Sequence, residues 1–90
     1  MYRITLASAC TTPNAGPAAA VAISAEFRHR PWHQNVSCIW DGARVVLRAE
    51  NDFDENGLAL MDEFSDSISI CVSGADLLDG TIEVVSCVEL

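Results

Sequence analysis

Val36-Ser37-Cys38-Ile39-Trp40-Asp41-Gly42-Ala43-Arg44-Val45-Val46-Leu47 is the stretch that decides the fold. Two short apolar runs flank an Asp-Gly pair, a dipeptide that reverses the chain tightly because glycine adopts left-handed backbone angles at no steric cost. With Asp41-Gly42 as the centre of a two-residue turn, Trp40 faces Ala43, Cys38 faces Val45, and Val36 faces Leu47. Alternation then puts all of these on one side of a hairpin, the side to be buried. Ile39, Arg44, Val46 and Arg48 take the other side.

Upstream, residues 2–10 alternate as well. Tyr2, Ile4, Leu6 and Cys10 point one way, and Arg3, Thr5, Ala7 and Ala9 the other, which predicts a strand. Thr11 to Pro17 is a breaker-rich connection, with Pro17 suited to a first helical position. Ala20, Ile23 and Phe27 recur at helical spacing, so Ala18–Arg30 is expected to be a helix that Pro31 stops.

Downstream, Asn51 to Gly57 is a polar loop. Leu60, Met61, Phe64, Ile68, Cys71 and Val72 then repeat at three- and four-residue intervals, with Gly74 as a C-terminal cap. Residues 67–72 also alternate with period two, but the longer window from Leu58 fits a helix. After a loop over Ala75–Gly80, Thr81 to Leu90 reads as a last strand with Ile82, Val84, Val88 and Leu90 inward.

Strand, helix, hairpin, helix, strand is the ferredoxin-like β-α-β-β-α-β order. It predicts one α+β domain over 1–90, with a four-stranded antiparallel sheet and two helices on one face. Arg3 would lie beside Glu89 on the outer face.

Half of the 90 residues are apolar, enough for a compact core. The chain has 13 acidic and 5 basic residues, all five arginine, for a net charge of −8. Phosphate backbones need a dense basic surface, so nucleic acid is not expected as a partner, and anionic membrane surfaces are disfavoured likewise. The longest apolar stretch, Ala18–Ile23, is far short of a membrane span. The first residues lead straight into alternation instead of a signal peptide, which gives a cytoplasmic expectation. Cys10, Cys38, Cys71 and Cys87 form no C-x-x-C pair and read as reduced core thiols.

Three groups of residues are candidates for a site. Asp52-Phe53-Asp54-Glu55-Asn56-Gly57 with Glu63 resembles the EF-hand calcium loop, D-x-[DN]-x-[DN]-G-x5-E, which implies Asp52, Asp54, Asn56 and Glu63 as ligands and Ca²⁺ as the one conceivable cofactor. The competing reading is an acid-rich cap on the next helix, with Asp54 or Asn56 as N-cap. Around Arg28-His29-Arg30-Pro31-Trp32-His33, the side chains of Arg28, Arg30, Trp32 and His33 suggest an anion or small-molecule site. The sheet's outer face gathers Ala7, Ala9, Ile39, Val46, Val85 and Cys87 inside a rim of Arg3, Arg44, Arg48, Glu83 and Glu89. Ile39, Val46 and Val85 are its expected interface residues. No Ser-His, Cys-His or phosphate-loop pattern accompanies them. The expected function is therefore a non-catalytic interaction or regulatory module, a homodimer or the binder of a protein partner. A calcium-binding domain and a ligand binder or enzyme at Arg28–His33 are the alternatives.

Overall fold

The computed structural model describes residues 1–9, 15–71 and 82–90. Among these the elements run β1 (Tyr2–Ala9), α1 (Gly16–Glu26), β2 (Gln34–Trp40), β3 (Arg44–Asn51), α2 (Leu58–Cys71) and β4 (Glu83–Glu89), and a 3-10 turn over Phe27–His29 extends α1. The fold is α+β. Its open four-stranded sheet has the order β2-β3-β1-β4, and every pairing is antiparallel. No helix among the described residues is long and apolar enough to cross a membrane. The expected Cys10, Val72, Gly74 and the 75–80 loop lie outside the described residues.

One core joins the sheet to both helices. Ile4 and Leu6 of β1 and Val45, Leu47 and Ala49 of β3 meet Ala19, Ala20, Ile23 and Phe27 from the first helical segment, and Leu60, Phe64 and Ile68 from α2. The spacing of Leu60, Phe64, Ser67 and Ile68, all buried, is the helical period, so the longer window outweighs the local alternation of 67–72. Pro17 sits in the first turn of α1, where its missing N–H costs no hydrogen bond.

The hairpin keeps its expected faces but not its expected register. Trp40 pairs with Val45, Ile39 with Val46, and Cys38 with Leu47. The central turn residues are thus Gly42 and Ala43, one step later than an Asp41-Gly42 turn requires. The local geometry explains the step. Asp41 Oδ1 accepts the amides of Ala43 (2.8 Å) and Arg44 (2.6 Å), which anchors Asp41 before the turn. Gly42, at φ +99°, then takes the first central position, where a II′-type turn demands glycine. The new register differs by two in the sum of paired residues, so each side chain stays on its face. Ala43 alone changes surroundings, ending exposed in the turn instead of buried.

The strand β4 departs further. A bulge lies where β1 pairing passes from Thr5↔Ser86 to Leu6↔Val84, leaving Val85 as the extra residue. An inserted residue reverses the facing of everything beyond it. Cys87 therefore pairs with Ile4 on the helix side, and Val88 pairs with Arg3 on the open side, both opposite to strict alternation. Arg3 does not meet Glu89. It pairs instead with Glu50 on β3, Nε to Oε2 at 3.0 Å.

Two close approaches place the edges. A Cβ added to Gly16 would collide with the Trp40 indole, so the start of α1 rests directly on the end of β2. Gly57, at φ +81°, leaves only 3.1 Å between such a Cβ and the Ile4 side chain.

Candidate functional site

A dense polar cluster forms where the first helical segment gives way to β2. Arg30 leaves helical geometry at φ −122°, ψ 71°, and the His33 amide donates to the Arg30 carbonyl at 3.2 Å. That closes a turn with Pro31 at its second position, which the fixed proline φ favours. The turn presents Arg30, Trp32 and His33 to Glu63 on α2. Glu63 Oε1 accepts from Arg30 Nη1 (3.3 Å) and Trp32 Nε1 (2.9 Å), and Oε2 accepts from His33 Nε2 (2.6 Å).

The network assigns the His33 proton. Asn51 Oδ1 already accepts the amides of Phe53 (3.3 Å) and Asp54 (2.8 Å), so its NH₂ is the group 3.3 Å from His33 Nδ1. An NH₂ can only donate; Nδ1 must accept, and the ring N–H sits on Nε2, directed at Glu63. The imidazole is buried and surrounded by Phe27, Trp32 and Phe53, with ring centroids 5.9–6.0 Å away. Arg30 spans Glu26 (3.7 Å) and Glu63, and its guanidinium lies 5.4 Å from the Phe27 ring centre.

Of the expected anion-site residues, Arg30, Trp32 and His33 thus converge, but on an anion that the chain itself supplies. Arg28 stands apart, exposed beside a cleft of about 370 Å³ whose walls also include Arg30 and His33. The cluster clasps α2 to the entry of β2 and the exit of β3, with three donors converging on the Glu63 carboxylate.

In the acid-rich loop, side-chain oxygens are turned to the start of α2. Asp54 is buried and caps α2, its two carboxylate oxygens accepting the amides of Ala59 (3.2 Å) and Leu60 (2.9 Å). Asn56 Oδ1 accepts the Leu58 amide at 3.1 Å. These bonds satisfy the otherwise orphaned N–H groups of the first turn and place negative charge at the positive end of the helix. Asp52 is exposed, and Glu63 is turned to the Arg30–His33 cluster. Among the described residues no group of three or more His, Cys, Asp or Glu side chains is placed to hold a metal ion.

The three thiols among the described residues, Cys38, Cys71 and Cys87, are poor nucleophiles. Burial pushes Cys38 up to about 12. Burial, then Glu26, raises Cys71; burial, then Asp54 and Glu55, raises Cys87. Thiolate is disfavoured at all three.

On the sheet's open face, rows run across the strands. Ile39 lies beside Val46, Val46 beside Ala7, and Ala7 beside Glu83. The Arg44–Glu83 ion pair joins the two strands flanking β1 and so crosses above Ala7, which is 0% exposed. Arg48 Nε donates to the Thr5 hydroxyl at 3.4 Å. Asn35 donates to Glu50 at 3.0 Å, and this bond, then Arg3, holds the Glu50 carboxyl below its ordinary range. The expected interface residues are consequently split. Ile39 and Val46 are cross-strand partners near β2, and Val85 lies on the far edge strand. That strand is where exposed apolar residues gather: Val84, Val85 and Val88 are 38%, 50% and 51% exposed, and Leu90 just beyond is 57% exposed.

Asn51, Asn35 and the partnership of Glu63 with His33 were not among the expected site residues. An Asn at a strand-to-loop junction is a recognisable sign of a side chain bonding the next amides. The Glu63–His33 contact crosses 30 positions and has no local signature.

No family model, curated protein or solved structure matches this chain.

Proposed function

We propose that this chain is a non-catalytic interaction module on a ferredoxin-like β-α-β-β-α-β sandwich, and that it self-associates along β4 and the adjoining open face of the sheet. The element order and the strand order β4-β1-β3-β2, read from the other edge, support the architecture. The exposed apolar edge carries the functional reading. Edge strands are ordinarily blunted by charge, proline or cover, because their free N–H and C=O groups template pairing with another chain. Val84, Val85 and Val88 sit on such an edge, and Leu90 extends it. A second copy adding its own β4 antiparallel would satisfy the free backbone groups and remove these side chains from water on both chains, in a two-fold arrangement. The net charge of −8 supports a protein partner over nucleic acid.

Sedimentation velocity over a micromolar concentration series tests the reading. The wild-type chain is expected to show a concentration-dependent dimer, and Val85→Lys/Val88→Lys a monomer throughout. A wild-type chain that stays monomeric across the series contradicts it.

A further inference from the structure

We propose that the cleft between the end of the first helical segment and the start of β2 binds a small organic carboxylate, held by Arg28 and Ser24. The cleft holds about 370 Å³ and has Phe27, Pro31 and Val36 as its apolar walls. Its polar lining divides into occupied and free groups. Arg30 is committed through its two terminal nitrogens to Glu26 and Glu63, its buried Nε staying unpaired, and His33 to Glu63 and Asn51. Arg28 and the Ser24 hydroxyl have no hydrogen-bond or ion-pair partner among the described residues.

Arg28 is distinctive in this respect. Arg3 pairs with Glu50, Arg30 with Glu26 and Glu63, and Arg44 with Asp41 and Glu83, and Arg48 donates to the Thr5 hydroxyl. In a chain of net charge −8, Arg28 is the one arginine left without a partner among the described residues, and it borders a concave apolar surface. Ser24 precedes it by four positions, which puts both donors on one side of the helical segment. A planar guanidinium and a hydroxyl one turn away suit the two oxygens of a carboxylate.

Charge sets the ligand class. Arg30 is paired with Glu26 and Glu63, so among the described residues Arg28 is the one arginine at the cleft left to meet an anion, which matches a single carboxylate. A phosphate dianion would meet the same two carboxylates with twice the charge of a carboxylate ligand and with no second free arginine to offset it. The walls of Phe27, Pro31 and Val36 call for a hydrocarbon or aromatic body behind the anionic group. The cleft lies on the helix side of β2, at the opposite edge of the sheet from β4, so it is independent of the association surface.

Thermal melts and calorimetric titration with benzoate, benzamide and inorganic phosphate test the site on the full chain. Benzoate should raise the melting temperature, because a ligand of the folded state alone must do so. Benzamide and phosphate should not. Arg28→Gln should weaken benzoate binding by about tenfold or more, the loss of a charge-assisted hydrogen bond, and Ser24→Ala by about threefold. Arg28 is exposed, so its replacement leaves the core intact. Absence of a benzoate effect, equal binding by Arg28→Gln, or an equal response to phosphate would each overturn the proposal.

Discussion

The two edges of the sheet are built on opposite plans. β2 is held at both ends: His33, just before it, is clasped by Glu63, and Trp40, its last residue, lies on Gly16 of α1. Its outer residues Gln34, Asn35 and Ser37 are polar, with Ile39 the one exposed apolar residue of the strand, and a bulge with Asn35 at φ +51° breaks the regular pairing. These are devices that discourage another strand from docking. β4 also has a bulge, at Val85, yet it presents valines to solvent on both sides of the sheet. The sheet thus has one edge anchored at both ends and one that exposes valines between Glu83 and Glu89, and this contrast is what supports the proposal of β4 as the associating edge.

Removing the anchors should produce the largest effects. Glu63→Leu leaves Trp32 and His33 without their acceptor and Arg30 with Glu26 alone, and urea denaturation should show a loss of about 3 kcal/mol or more. Glu63→Gln, which keeps an acceptor, should cost clearly less. Equal losses would mean that the cluster acts by packing alone. At the other end of β2, Gly16→Ala drives a methyl into the Trp40 ring and should cost about 2 kcal/mol in the same measurement, with near-ultraviolet dichroism reporting the displaced indole.

The hairpin and β4 show how much of this fold was legible. Alternation and an Asp-Gly turn gave the correct faces for Val36, Cys38, Trp40, Val45 and Leu47, because the actual register differs by an even step. The step itself depended on whether Asp41 would use its side chain on the following amides, a choice settled by turn geometry more than by composition. In β4 the alternation failed beyond Val85, since a bulge is one residue of pairing detail and leaves no period in the sequence to read. The Arg30–Trp32–His33 group was recognisable from its density of donors. Its partner was not, because Glu63 belongs to a helix brought near only by the finished fold.

Smaller effects sharpen the contrast. Glu50 and Asp41 are both held below their ordinary values, Glu50 by the bonds from Asn35 and Arg3 and Asp41 by the amides of Arg44 and Ala43. Their contribution is present above the unfolded carboxyl values of about 4 and is lost as pH falls through the lower folded values. Stability should therefore drop in this acid range, and Glu50→Gln should make the drop shallower in melts taken from pH 5 to pH 2. Calcium should leave the melting temperature unchanged, because Asp54 caps α2 and Glu63 is bound by its own neighbours.

Amide hydrogen exchange as a function of protein concentration tests the asymmetry of the two edges most directly. Exchange in β4, Glu83–Glu89, should slow as concentration rises through the association range, and exchange in β2, Gln34–Trp40, should stay constant. Slowing in β2 with β4 unchanged, or rates independent of concentration in both strands, would contradict the assignment of β4 as the partner-binding edge.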